Sequence, residues 1–88
     1  MYKMIDIKHR IGGETRTDGR YPLRIGSTFN FYLPLKLGEC AFLEYVTDNK
    51  GNSKDGILRT SLVESYFKDE DTLVFSTVNS VYVMEEIV

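Results

Sequence analysis

The side chains with the clearest capacity for chemistry are the arginines near the start of this sequence. Residues 1–24 carry six basic and three acidic side chains, whereas residues 25–88 carry five basic and ten acidic ones. Between residues 8 and 20 the cations are interspersed with three glycines, whose backbone amides can approach an anion closely. Arginine also holds phosphate through two parallel hydrogen bonds. The pattern predicts an anion site, whose candidate ligand-binding residues are Arg10, Arg16, Arg20 and Arg24.

Two other interpretations of this basic segment are open. It contains neither the G-x-x-x-x-G-K phosphate loop nor the G-x-G-x-x-G fingerprint, so a solvated loop held by salt bridges fits the same residues. Alternatively, the basic quarter pairs with the acidic remainder of the chain, within one molecule or between subunits. The sequence does not choose among these interpretations.

A catalytic site is not expected. Cys40 is the only cysteine and His9 the only histidine, and Cys40 opens an apolar segment in which a free thiol acts as a small hydrophobic group. The serines lie in no G-x-S-x-G nucleophile elbow, and the carboxylates show no metal-ligand spacing. We therefore predict a protein that is not an enzyme and that uses no metal and no cofactor.

Composition also bears on partners and cellular setting. The net charge of −2 at pH 7 opposes nucleic-acid binding, which depends on neutralising phosphates. The longest apolar runs are too short for a membrane-spanning helix, and the N-terminal residues do not form a secretion signal. With a single cysteine, these features predict a cytoplasmic protein with no membrane or nucleic-acid partner.

Short strands are the elements expected to hold these residues. Apolar residues recur with period two along most of the chain, punctuated by glycine, asparagine, aspartate and proline. On the first strand Ile5, Ile7 and Ile11 are expected to share one face. The third strand is apolar on both faces, which indicates burial on both sides or an interface. The polar segment 12–22 is predicted to be a long loop. The predicted strands span residues 2–11, 27–33, 40–47, 57–67, 72–77 and 81–87.

Strands of this number and length predict one all-β domain over residues 1–88. Free strand edges invite association, so the strands are expected to close into a barrel. A long first loop, a meander and a tight turn before the last strand favour a small SH3-like barrel of five to six short antiparallel strands, in which one helical turn separates the last two strands. An OB-like barrel is the alternative. It usually carries a helix between its third and fourth strands, and no segment here shows ten residues of helical periodicity.

The C-terminal half contains a spaced pattern. Residues 59–65 read R-T-S-L-V-E-S, and residues 73–83 read L-V-F-S-T-V-N-S-V-Y-V. The pattern R-T-S-x-V-x-S followed by T-x-N-S-x-Y resembles a segment of small, uncharacterised proteins of bacteria, bacteriophages and other mobile elements. The resemblance is confined to the C-terminal third of the chain. It implies a compact β domain of phage or mobile-element origin and supplies no reaction.

The residue types of this pattern predict a structural motif rather than a ligand site. Asn79 suits a tight turn, and Thr77 can satisfy a backbone group at the end of a strand. Tyr82 can pack its ring on the core, while Thr60 and Ser61 can form cross-strand hydroxyl bonds. The residues assigned to this motif are Arg59, Thr60, Ser61, Thr77, Asn79, Ser80 and Tyr82.

Two functional hypotheses are consistent with these features. The first is a non-enzymatic interaction module, a phage- or mobile-element-encoded accessory protein that forms a homo-oligomer and binds a host protein. Its contact surfaces would be an exposed strand edge and the loop at residues 12–24. The second is a small-ligand binding protein, in which the four candidate arginines receive a phosphate-bearing molecule such as a nucleotide.

Overall fold

The period-two segments fold into antiparallel strands in a computed structural model, which describes residues 1–87. The strands in this range are β1 (Tyr2–His9), β2 (Thr28–Phe31), β3 (Cys40–Thr47), β4 (Ile57–Asp69), β5 (Thr72–Thr77) and β6 (Ser80–Glu86). Each strand pairs with the next, and β1 also pairs with β6, so the ring is a closed barrel. The prediction of a small all-β barrel is confirmed, and β3 and β5 begin and end where the sequence predicts.

Closure removes the exposed strand edge that the first functional hypothesis requires. In the described range each strand has a neighbour on both sides, and the basic segment covers the part of β1 that β2 does not reach. The Arg16 amide donates to the Ile7 carbonyl (2.8 Å), and the His9 amide donates to the Glu14 carbonyl (2.8 Å). The barrel uses those backbone groups itself, so the free strand edge that this hypothesis expects is not present on β1.

A helical turn, α1 (Tyr21–Arg24), begins inside the segment that was expected to be a loop. Pro22 suits the start of this turn, where its missing N–H needs no partner. The position expected for a helical turn, between the last two strands, holds a two-residue turn at Val78 and Asn79 instead. Over residues 1–87, no helix has the length and apolarity needed to cross a membrane.

β4 forms the corner of the barrel. Its first half pairs with β3, and its second half, from Val63 onward, pairs with β5. Bulges at residues 60–61 and at Glu64 bend the strand where it changes partner. At the first bulge the Thr60 hydroxyl accepts a hydrogen bond from the Ala41 amide (3.0 Å), so a side chain replaces the interrupted ladder. The expected cross-strand hydroxyl bond of Thr60 is confirmed.

A bulge at Ile5 changes which side chains of β1 face the core. The register of β1 against β6 shifts between Met4 and Asp6, so β1 uses one residue more than its neighbour. Met4 and Ile7 are fully buried, whereas Ile5 is 43% exposed and Ile11 is 90% exposed. The prediction that the three isoleucines share one face is wrong. The extra residue in β1 puts Ile5 and Ile7 on opposite faces, and β1 ends at His9, before Ile11.

The barrel interior is filled by apolar side chains from every strand. Phe75 and Tyr82 stack with ring centroids 4.8 Å apart and planes 10° apart. The core consists of Met4, Ile7, Phe29, Ala41, Leu43, Leu58, Val63, Leu73, Phe75, Tyr82 and Met84. In the part of the chain that the structure describes, every buried side-chain nitrogen or oxygen has a hydrogen-bond partner. The interior therefore holds no unsatisfied polar group that would mark an internal ligand site.

β3 presents apolar side chains inward and outward, as its sequence predicts. Ala41 and Leu43 are buried in the core. Cys40 and Phe42 alternate with them and are half-buried on the outside. The strand is fully buried only on the side that faces the barrel interior. Of the two explanations predicted from the sequence, burial on both sides is therefore excluded, and an interface remains for the outer side.

The buried tyrosine sets an expected alkaline limit to stability. Burial of Tyr82 raises the pKa of its hydroxyl from its usual value near 10 to about 12. Because the folded-state pKa lies above the unfolded value, the stabilisation is complete below pH 10 and is lost as the pH rises through about 12. The shift corresponds to about 2 to 3 kcal/mol. We expect Tyr82→Phe to flatten the fall in unfolding free energy over this pH range, measured by urea denaturation.

Tyr32 supplies the matched control, since it is 61% exposed. We expect Tyr32→Phe to keep the alkaline profile of the wild-type protein. If the unfolding free energy of wild type and of Tyr82→Phe fell equally with rising pH, the raised pKa of Tyr82 would not be the cause of the fall.

Candidate functional site

Arg16 is the most extensively bonded of the candidate arginines. Its Nε and Nη2 atoms donate to the two carboxylate oxygens of Asp18 (3.1 and 2.7 Å). Its Nη1 atom donates to the Ser80 hydroxyl (2.7 Å) and to the Asn79 carbonyl (3.2 Å). The guanidinium carbon also lies 4.0 Å from the centroid of the Tyr21 ring. With a side chain only 14% exposed, Arg16 anchors the basic segment to the turn between β5 and β6.

Asp18 is the counter-ion of this arginine. The hydrogen bonds from Arg16 hold the pKa of the Asp18 carboxyl at about 2, below its usual value, and they raise the pKa of Arg16. The Nε2 atom of His9 lies 3.8 Å from an Asp18 oxygen. Both carboxylate oxygens already accept from the guanidinium, so the geometry indicates a structural ion pair.

Arg10 connects the basic segment to β4 and β5. Its Nη1 atom donates to the Thr77 carbonyl (2.8 Å) and forms an ion pair with Glu64, the bulge residue of β4. Its backbone amide donates to the Asn79 carbonyl (3.3 Å). This ion pair joins the basic quarter to the acidic remainder of the same molecule, as one of the open interpretations proposes.

The two halves of the spaced C-terminal pattern meet in space. The Asn79 side-chain amide donates to the Ser61 hydroxyl (2.9 Å). The Thr77 hydroxyl accepts from the amides of Asn79 and Ser80 (3.4 and 3.2 Å) and donates to the Ser80 carbonyl (3.3 Å). Arg59 lies exposed on β4. These bonds hold the turn against the bulged strand, and they support the structural interpretation of the motif.

We call the set comprising Arg10, Arg16, Asp18, Thr77, Asn79 and Ser80 the arginine–turn network. It forms part of the wall of a shallow cleft of about 300 Å³. Arg16 uses four donated hydrogen bonds within the network, and a guanidinium has five N–H groups. At most one N–H group of Arg16 is left to bind a ligand, so the main role of the network is to stabilise the fold.

Arg20 and Arg24 line a different cleft, formed where α1 faces the loop between β3 and β4. This cleft has a volume of about 320 Å³, and Lys54 and Asp55 of that loop complete its charged lining. We call it the basic cleft. Among residues 1–87, its three cations form no ion pair. The structure therefore separates the four candidate arginines into two pairs.

Aromatic rings hold two cations of the basic cleft. The guanidinium carbon of Arg24 lies 5.0 Å from the centroid of the Tyr21 ring, and the Lys54 ammonium lies 4.3 Å from that of Tyr45. The sequence interpretation assigned none of Tyr21, Tyr45 and Lys54 to the anion site. Tyr21 carried a usable signal, since it precedes Arg24 by three residues, a spacing that brings side chains together on a helical turn. Lys54 carried none, because only the tertiary fold brings it to α1.

The groups with catalytic potential do not converge. His9 lines the cleft beside the arginine–turn network, whereas Cys40 lines a small recess on the outside of β3. Across residues 1–87, no three histidine, cysteine or carboxylate side chains are placed to hold a metal ion.

Exposed and half-buried apolar side chains lie on the outside of β3, β4 and the β2–β3 loop. Leu33, Cys40 and Phe42 border a recess of about 90 Å³, and Cys40 pairs with Leu62 across the strands. Leu37 is exposed on the β2–β3 loop, and the next residue, Gly38, donates its amide to the Val63 carbonyl of β4 (2.8 Å). We call Leu33, Leu37, Cys40, Phe42 and Leu62 the apolar face. The sequence signal for it was the two-sided apolar pattern of β3.

Comparisons with protein-family models, curated proteins and solved structures find no match to this chain. The resemblance of residues 59–83 to proteins of bacteria and bacteriophages stays a prediction.

The different roles of the arginines lead to a stability test. We expect Arg16→Gln to lower the unfolding free energy by about 1 to 3 kcal/mol, because it leaves the buried Ser80 hydroxyl without its donor. We expect Arg20→Gln to change it by less than about 0.5 kcal/mol, as is usual for an exposed position. Urea denaturation measures both. An equal decrease in unfolding free energy in the two variants would contradict the structural role of Arg16.

Proposed function

We propose that this chain is a non-catalytic interaction module that binds another protein through its apolar face. The observation that carries the proposal is a group of large apolar side chains left outside a barrel whose interior is already filled. Leu33, Leu37 and Leu62 are 51%, 60% and 49% exposed. Single exposed leucines are ordinary on a protein surface, whereas a contiguous apolar patch marks a contact site.

The shape and surroundings of the apolar face suit a protein partner. The recess between Leu33 and Phe42 can receive one partner side chain, the kind of pocket in which a binding hot spot forms. Lys36 and Glu39 lie at its border and supply charged groups of both signs. An apolar centre with a polar rim is the usual composition of a protein interface.

The second hypothesis, one phosphate held by four arginines, has less support. Arg10 and Arg16 are engaged in the arginine–turn network, and they line a different cleft from Arg20 and Arg24. Charge reversal of Arg16 is also unsuitable as a binding test, since the same substitution removes bonds that hold the fold. A host protein as the partner stays a prediction that rests on the sequence resemblance.

Substitution of Leu62 tests the proposed function. We expect Leu62→Glu to abolish capture of the partner from a bacterial lysate by the immobilised protein, because it places a charge within the apolar face. Ile11→Glu is the matched control, since Ile11 is 90% exposed and lies outside the face. The thiol of Cys40 gives a second readout: a bound partner should slow its alkylation.

Self-association is separated from partner binding by measuring the mass of each variant in solution. A wild-type dimer that Leu62→Glu converts into a monomer, while Ile11→Glu does not, identifies the partner as a second copy of the chain. Capture that survives Leu62→Glu, or a monomer that captures nothing, would refute the proposal.

A further inference from the structure

We propose that the basic cleft binds a small organic molecule that carries a phosphate monoester, with Arg20, Arg24 and Lys54 as the phosphate ligands. The cleft lies between α1 and the β3–β4 loop, and the proposed protein contact does not use these residues. The inference therefore stands on separate observations from the proposed function.

The charge of the cleft selects the ligand. Arg20, Arg24 and Lys54 face one carboxylate, that of Asp55, so the lining carries a net charge of +2. In residues 1–87 none of these three cations is neutralised by an ion pair. A phosphate monoester carries a charge of about −1.5 to −2 at pH 7, whereas a carboxylate carries −1. A phosphate balances the lining more closely.

Two of the cations are held in place before any ligand binds. Lys54 lies over the Tyr45 ring, and that ring packs against the buried ring of Phe29 with centroids 4.5 Å apart. Arg24 lies over Tyr21, whose ring also contacts the anchored Arg16. Restricting these long side chains in advance reduces the entropy lost when they bind.

The remaining wall indicates that the phosphate belongs to an organic molecule. Leu23, Ile57 and Leu58 contribute apolar surface beside the cations. The volume of about 320 Å³ is close to the lower limit for small-molecule sites, which start at roughly 300 Å³. The cleft thus combines a group that recognises phosphate with a surface that contacts a compact apolar or aromatic body.

Titration calorimetry with phenyl phosphate, inorganic phosphate and benzoate tests the proposal. Phenyl phosphate should bind saturably and more tightly than the other two, because it alone supplies both the dianion and the apolar body. Arg24→Gln and Arg20→Gln should each weaken it by about tenfold or more, the scale of a lost charge-assisted hydrogen bond.

Two variants serve as controls. Lys50→Gln removes the same charge from the same loop as Lys54 but lies outside the cleft, and it should leave the affinity within about twofold, since long-range charge effects are screened. Leu62→Glu alters the apolar face and should leave phenyl phosphate binding unchanged. A loss of protein binding can therefore be distinguished from a loss of phosphate binding.

Three results would overturn the inference. The first is the absence of saturable phenyl phosphate binding by the wild-type protein at millimolar concentration. The second is affinity that persists in both arginine variants. The third is benzoate bound as tightly as phenyl phosphate, since the cleft would then recognise an apolar anion without preference for phosphate.

Discussion

Pairing of the first strand with the last closes the barrel and brings together parts of the chain that are distant in sequence. β1 lies against β6 from Tyr2, opposite Glu86, to His9, opposite Ser80. This register brings the basic segment beside the turn between β5 and β6, where Arg10 and Arg16 reach carbonyl groups 67 and 63 residues away along the chain. Contacts of such separation form after a large loss of chain entropy, so they exist only in the closed barrel. The arginine–turn network thus forms only when the barrel closes, and its hydrogen bonds and ion pairs stabilise the closed barrel.

Bulges make that closure compatible with so short a chain. β4 changes partner from β3 to β5 near Val63, and the extra residues on either side of this point bend it through the corner. Each bulge leaves backbone groups to be satisfied by other means. At one bulge the Thr60 hydroxyl accepts from the Ala41 amide. Beside the other, Arg10 donates to the Thr77 carbonyl on the facing strand and also pairs with the Glu64 side chain. The spaced C-terminal pattern therefore describes a corner and the turn that packs against it, which explains why its two halves are separated in sequence and adjacent in the fold.

The cations of the N-terminal quarter divide by environment rather than by sequence position. Arg16 is largely enclosed and bonded to Asp18, whereas Arg20, four residues later, lies in an open cleft with Arg24 and Lys54. An arginine whose hydrogen bonds are taken by the protein stabilises the fold, and one whose donors face solvent beside other cations is available to an anion. The apolar face lies on the outside of β3 and β4, so the surfaces that remain available for binding are both built around the β3–β4 hairpin.

The all-β class and most of the elements of this protein follow from its sequence alone. Alternation of apolar residues is a local property, so it was sufficient to predict the strands, their turns and the small all-β barrel, and the Thr77–Ser80 segment was recognisable as a turn from its residue types. Features that depend on strand register or on contacts distant in sequence are seen only in the folded structure. The bulge in β1 turns Ile5 outward, although the alternation of apolar residues predicts an inward side chain. Barrel closure engages the backbone groups at the edge of β1. The fold also places Lys54 in the same cleft as Arg24 and Arg16 within hydrogen-bond distance of Ser80. An extra residue in a strand exchanges the faces of the side chains that follow it, and a local alternation pattern does not show where that residue lies.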